Sequence, residues 1–89
     1  MNATNMLRIA TADTAGAVDS ACSEVEMAVG LPVRPEMQEI ENGCLIVELR
    51  LGDAHVHTPS PSRLAIAVDK STTDVEVLSA WTEPSDVIP

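Results

Sequence analysis

The longest regular pattern in the chain is helical, with apolar residues recurring at intervals of three and four and polar residues mostly on the opposite side. The apolar positions are Ala17, Val18, Ala21, Cys22, Val25, Ala28 and Val29. This spacing predicts an amphipathic helix over residues 13–29. Asp13 or Thr14 can cap its start, because a short polar side chain accepts a hydrogen bond from the first turn. Gly30 followed by Pro32 ends it, since proline cannot continue a helix.

After the helix the period changes to two. Within Leu45–Leu51 the odd positions are apolar and the even positions include charged side chains, which is typical of a half-buried strand. Asn42 and Gly43, just before it, are the preferred pair for a tight hairpin turn. The preceding residues should therefore fold back as a partner strand, with Ile40 opposite Leu45.

A second tight turn is predicted directly after this strand. Gly52 and Asp53 suit a two-residue hairpin loop, which would place Val56 opposite Leu49 and keep the apolar residues on one side. Residues 63–68 then alternate large apolar side chains with alanine, and this alternation predicts a further strand.

The remaining segments complete one small domain, residues 1–89. Residues 7–10 are expected to form a short strand before the helix. Residues 74–81 fit a period of two and also resemble a helix capping box, and we favour a strand. Residues 1–5 and 83–89 are expected to be loose. The predicted fold is α+β, with one N-terminal helix packed on a four- to five-stranded, mainly antiparallel sheet in the order strand, helix, strands.

This order is also that of the cystatins, which inhibit papain-like cysteine proteases. Residues 38–43 read QEIENG, which resembles the Gln-x-Val-x-Gly loop of that family with one additional residue. The Pro-Trp pair of the family's second inhibitory loop has no counterpart in this chain. The resemblance covers one hairpin and implies a shared topology, since fold analogy alone does not carry protease inhibition over.

Charge is the most unusual global property, because 14 acidic residues against 5 basic ones give a formal net charge of −9. The basic residues are Arg8, Arg34, Arg50, Arg63 and Lys70. They are dispersed, whereas phosphate binding uses clustered cations, so we expect no direct contact with nucleic acid. An acidic surface is attracted instead to basic surfaces of other proteins, including those that bind nucleic acids. It also promotes solubility.

The chain contains none of the short motifs that carry catalysis or phosphate binding, so we expect neither enzymatic activity nor a cofactor. No apolar run reaches the roughly 18 residues of a membrane span, and the N-terminus lacks a signal-peptide pattern. We therefore expect a cytoplasmic protein that does not contact membranes. Cys22 and Cys44 should then be reduced.

His55 and His57 are the one chemically suggestive pair. Two residues two apart on a strand project to the same face, and the second predicted turn would bring Glu48 opposite His57. Imidazole and carboxylate groups are ligands that zinc accepts. Metal binding by His55, His57 and Glu48 is therefore a secondary hypothesis beside the simpler interpretation that all three are solvated surface residues.

Six of the fourteen acids lie within residues 19–41. They are Asp19, Glu24, Glu26, Glu36, Glu39 and Glu41. We expect this half of the domain to contact a basic surface of a partner protein, as in an inhibitor or an anti-defence-type factor that mimics nucleic acid. An alternative is an accessory or self-assembling subunit, including a homo-oligomer, joined through a sheet edge or through apolar outer residues such as Ile46 and Met37.

Overall fold

The computed structural model describes residues 3–54, 60–71 and 74–84. The elements are β1 (Ala3–Ala12), α1 (Ala17–Val29), β2 (Val33–Glu41), β3 (Cys44–Ala54), α2 (Pro61–Ser71) and β4 (Glu76–Pro84). The strands form one four-stranded sheet in the order β2-β3-β1-β4, and every neighbouring pair is antiparallel. The predicted α+β class and antiparallel sheet are confirmed. Two interleaved β-α-β units of this kind define the topology of ferredoxin-like domains.

Both helices pack on one face of the sheet, here called the helix face, and share a single core with it. Leu45, Val47, Leu49 and Leu51 of β3 turn toward this core and are 0–8% exposed, which confirms the predicted period of two. Leu7 and Ile9 of β1 lie opposite Leu49 and Val47. The helices contribute Ala17, Ala21, Val25, Leu64 and Val68. The other side of the sheet, here called the open face, is covered by no described helix.

Helix α1 ends where predicted but begins at Ala17 rather than at Asp13. Gly16 is the N-cap residue, with a φ of 75°, and no side chain among the described residues caps the helix. The expected cap by Asp13 or Thr14 was therefore wrong. The backbone carbonyl of Thr14 instead accepts the N–H of Ala17 at 3.1 Å. Glycine at position 16 permits this turn because it adopts positive φ without a steric cost.

The hairpin between β2 and β3 has the predicted turn and register. Asn42 and Gly43 have φ values of 53° and 79°, and a type I′ turn requires positive φ at both central residues. Ile40 lies opposite Leu45. The turn chemistry and the apolar alternation therefore agree on one register, as expected when a slip would expose the apolar set.

The second predicted turn, at Gly52 and Asp53, was wrong. Strand β3 continues through both residues and pairs with the beginning of β1, with a register shift in that ladder at this point. A glycine suits such a bulge. Leu49 lies opposite Leu7 on β1 and Pro35 on β2, and Val56, the residue predicted opposite Leu49, lies outside the described residues. Pairing between distant strands here outweighs a local turn preference.

Residues 63–68, expected to form a strand, belong to α2. Leu64 and Val68 are one helical turn apart and are 2% and 0% exposed, whereas Ile66 between them is 53% exposed. An alternation of large apolar residues with alanine over so few positions satisfies both periods. The strand interpretation failed because burial follows the i, i+4 pair rather than every second residue.

The start of α2 carries signals that favour a helix. The hydroxyl of Ser60 accepts the N–H of Arg63 at 3.4 Å, and Pro61 is the first helical residue. Serine before the helix and proline at its first position are both typical of helix N-termini. With α2 between β3 and β4, the chain departs from the order of strand, helix and uninterrupted strands that it was expected to share with cystatins.

The two ends of the described chain are more regular than expected. Of residues 74–81, for which a strand is the favoured interpretation, residues 76–81 belong to β4 and residues 74–75 precede it. Residues 3–5, expected to be loose, form the first part of β1, and the side chains at positions 4 and 5 are buried. Residues 83–84 belong to β4. Residues 1–2 and 85–89 lie outside the described part of the chain.

Val47→Asp should unfold the domain, because it places a carboxylate at a fully buried position opposite Ile9. Burying an unpaired charge and losing the apolar contacts costs about 4 kcal/mol or more, a large share of the stability of a small domain. Glu48→Gln, one residue along on the open face, should cost at most about 1 kcal/mol. Urea denaturation followed by far-UV circular dichroism measures both, and equal midpoints would contradict the register.

Candidate acidic interaction surface

The outward side of α1 carries carboxylates and no cation. Asp19 and Glu26 are exposed and Glu24 is half-buried at the flank. The helix contains no lysine or arginine, and none of these three carboxylates forms an ion pair with a described residue. We call Asp19, Glu24 and Glu26 the α1 acids. Within the described structure, no side-chain cation pairs with any of them.

Glu26 lies in the last turn of α1, where the helix dipole presents its negative end. A carboxylate is unfavourable there by a few tenths of a kcal/mol to about 1 kcal/mol. Its Oε2 atom accepts the backbone N–H of Val33 at 3.3 Å, which links the helix to the start of β2. Glu26 therefore has a structural contact as well as a charge, whereas Asp19 and Glu24 contribute charge without such a bond.

Met27 interrupts the acidic side of α1 with an apolar side chain that is 88% exposed. A flexible thioether can adapt to an irregular pocket on another surface. Charged residues around an exposed apolar side chain are a common composition at protein interfaces, where the apolar part is buried and the charges form a rim.

Glu36 and Glu39 lie on the open face of the sheet, away from the α1 acids. The carboxylate of Glu36 pairs with the Nε atom of Arg50, and that of Glu39 pairs with Arg8 at 2.7 Å. Glu41 is exposed at the end of β2, beside the hairpin turn. Two of the three β2 acids are therefore neutralised by arginines of the central strands.

These ion pairs form a lattice across the open face. Arg8 on β1 also donates to Glu48 on β3 at 3.0 Å, and Arg50 on β3 reaches Glu83 on β4 at 3.9 Å. The lattice thus connects all four strands. Met6 of β1 has Arg50 and Trp81 as its cross-strand neighbours and is only 2% exposed, although no described helix covers it. The hydrogen bond to Glu39 raises the pKa of Arg8, burial opposes this shift, and the hydrogen bond to Glu48 adds to it.

The structure therefore brings the α1 acids together and separates them from Glu36 and Glu39. The sequence alone did not predict that Arg8 and Arg50 pair with Glu39 and Glu36, or that Glu48 and Glu83 belong to the same set of ion pairs. An indication was present, since Arg50 and Glu48 occupy the polar positions of β3. Assigning the partners required knowing that β1 pairs with β3, which residue spacing along the chain does not reveal.

The apolar residues expected on the open face for assembly with another chain are less exposed than predicted. Ile46, proposed as an outer contact, is only 7% exposed, while Met37 is 49% exposed. Trp81 lies opposite Met6 on the same face and its Nε1 atom donates to Glu83 at 3.1 Å. A self-assembling open face would have to present its apolar area through Met37 and part of Trp81.

Metal binding by His55, His57 and Glu48 stays a prediction. His55 and His57 lie outside the described residues. The carboxylate of Glu48 binds Arg8, and its cross-strand neighbours are Arg8 and Met37. Within residues 3–54, 60–71 and 74–84, no group of three or more potential ligand side chains is placed to hold a metal ion.

The fold and the surface together describe a ferredoxin-like α+β domain with an acidic helix and a charge-paired open sheet face. No family model, no curated protein and no solved structure matches the chain. In the part of the chain that the structure describes, no helix is long and apolar enough to cross a membrane.

Cys22 reports on the electrostatics of the α1 acids. Burial raises the pKa of its thiol, and the charges of Asp19 and Glu26 raise it further. Thiolate is the form that reacts, so alkylation of Cys22 should rise only above the ordinary thiol range near about pH 8.5. Asp19→Asn should lower that midpoint, because it removes one of the charges that oppose ionisation.

The measurement is the rate of iodoacetamide alkylation against pH by mass spectrometry, in a Cys44→Ser background so that one thiol reacts. Asp69→Asn on α2 is the matched control and should leave the midpoint unchanged. A midpoint that Asp19→Asn does not move would show that the α1 acids exert no appreciable field at Cys22.

Proposed function

We propose that the protein is a non-catalytic protein-binding module that occupies a basic surface of a partner protein, as an inhibitor or anti-defence-type factor does. One observation carries the proposal. The α1 acids project from a helix without cations, while Glu36 and Glu39 are charge-paired with arginines. The α1 acids are therefore a group of carboxylates, left unpaired by the described cations, that is free to meet a partner.

Uncompensated carboxylates on a rigid helix suit electrostatic association. A row of like charges raises the local potential and steers a basic surface toward it, which acts mainly on the association rate and on partner choice. Glu26 lies near the negative end of the helix dipole, where stability alone would favour a neutral or basic residue. Met27 would supply the apolar contact that charges at a rim do not provide.

The β2 acids have a secondary part in this proposal. Glu41 is exposed and free of ion pairs within the described residues, so it can extend the contact beyond α1. Glu36 and Glu39 would contact a partner only by sharing their carboxylates with Arg50 and Arg8. A basic surface used for nucleic acid fits the proposal best, because such surfaces present clustered cations.

Glu24→Lys should slow association with the partner and flatten its salt dependence, since it reverses one charge of the acidic helix. Asp69→Lys, an equal change of charge on the exposed side of α2, should do much less. Glu26 is unsuitable for this test because it holds the N–H of Val33. The partner is obtained by affinity capture with salt elution, and stopped-flow association rates are then measured against ionic strength.

Identical rates for the two variants, or a salt-independent rate for the unaltered protein, would contradict steering by α1. The accessory-subunit alternative would be favoured if the capture returned only a second copy of the chain and the molecular mass of the purified protein rose with its concentration. Melting curves of both variants establish that any change in rate does not reflect unfolding.

The metal alternative predicts a different result. Two histidines and one carboxylate are fewer ligands than the four that structural zinc sites use, and Glu48 is engaged by Arg8. Zinc should therefore bind no tighter than about the micromolar range. Titration calorimetry measures this, and stoichiometric binding about a thousandfold tighter that is lost in His57→Ala would place the metal function first.

A further inference from the structure

Strand β4 is an edge of the sheet whose central residues carry neither charge nor proline. Within the described residues its one strand neighbour is β1. Residues 77–82 read VLSAWT, carry no charge and are rich in residues that favour strands. Leu78 is 46% exposed, at the point where the ladder with β1 shifts register. Sheet edges are normally guarded by charges or proline, so this stretch is available to another strand.

The opposite edge, β2, is guarded in several ways. It contains Pro35, which offers no backbone donor, and a register shift follows directly at Glu36. Arg34, Glu39 and Glu41 add charge along the same strand. Proline and charge both discourage strand addition. Each edge strand contains one register shift, so the two edges differ in proline and charge. The contrast singles out β4 as the edge at which pairing with another chain is permitted.

A depression of about 260 Å³ lies at the beginning of β4. It is lined by Ala10, Thr11, Cys44, Asp74, Val75 and Glu76. Asp74 and Glu76 are exposed and form no ion pair with a described residue. A cavity of roughly 150 Å³ is sufficient for a benzene ring, so this depression can accept the long side chain of a lysine or an arginine beside two carboxylates.

We propose that β4 accepts an extended, cationic segment of a partner protein as a fifth strand, antiparallel to β4, with a lysine or arginine side chain in the depression between Asp74 and Glu76. Main-chain hydrogen bonds to residues 77–82 supply affinity, and the acidic depression supplies selectivity. Antiparallel pairing places the cationic residues at the C-terminal end of the segment.

Charge favours this occupant over a second copy of the chain. Two copies would each carry a net charge of −9. Antiparallel pairing of β4 with itself through its centre would place Glu76 opposite the Glu83 of the second copy, and like charges directly opposite are destabilising. A segment with an uncharged centre and a basic end meets no such repulsion.

The β4 site is separate from the surface of the proposed function. Helix α1 packs against β2 and α2, whereas β4 lies at the other edge of the sheet and contacts α2. The proposal therefore does not depend on the α1 acids. An assay with a synthetic peptide also needs no cellular partner, so failure at either surface leaves the other unaffected.

The test uses Trp81, the one tryptophan of the chain, as an intrinsic reporter on β4. The probe is the capped heptapeptide with the one-letter sequence TVTVTKR, titrated into the protein at low salt while tryptophan emission is recorded. We expect a saturable change, and at least tenfold weaker binding when the two basic residues of the peptide are replaced by glutamate. N-methylation at alternate peptide bonds should abolish binding, because it removes main-chain donors.

Glu76→Lys should weaken binding of the basic peptide at least tenfold, and the same variant should bind the glutamate peptide better than the unaltered protein does. Asp69→Lys, outside the depression, should change neither. Binding that survives N-methylation, or that Glu76→Lys leaves unchanged, would overturn the proposal. So would the absence of saturable binding, or sedimentation showing that β4 is already occupied by a second copy.

Discussion

The antiparallel pairing of β1 with β3 is the interaction on which the rest of the structure depends. These two strands form the centre of the sheet and run side by side from Ala3 opposite Ala54 to Ala12 opposite Cys44. Their apolar sides supply the floor on which both helices pack. Their polar sides place Arg8 beside Glu48, which anchors the ion pairs of the open face. A pairing between residues this far apart in sequence is costly to close and becomes favourable only when the core is buried.

The open face shows how an acidic chain accommodates its charge. Among the described residues, four acids pair with two arginines that reach across neighbouring strands. Exposed pairs of this kind contribute little stability individually, but together they avoid the repulsion that unpaired carboxylates would cause. The consequence for binding is that the open face presents mixed charge, and the helix α1 presents negative charge alone.

Much of the candidate surface followed from the sequence, because α1 is strongly amphipathic and its outward residues can be identified from spacing. The separation of Glu36 and Glu39 from the α1 acids did not. These residues are close to α1 along the chain, yet the sheet register turns them to the opposite face, where Arg8 and Arg50 arrive from strands β1 and β3. Local sequence cannot specify which cation approaches from a distant strand.

The sequence by itself determined the elements whose signals are local: the end of α1, the Asn42-Gly43 turn, the register of the β2-β3 hairpin and the buried side of β3. Each depends on the conformational preference of a few adjacent residues or on a period that one face must keep. The tertiary structure alone decided the path of Gly52 and Asp53 and the partners of the arginines. It also selected the helix for residues 63–68, where the start signals at Ser60 and Pro61 favour a helix and the apolar alternation favours a strand. In each of these the local preference was weak or ambiguous, and the free energy of long-range pairing and burial selected the conformation.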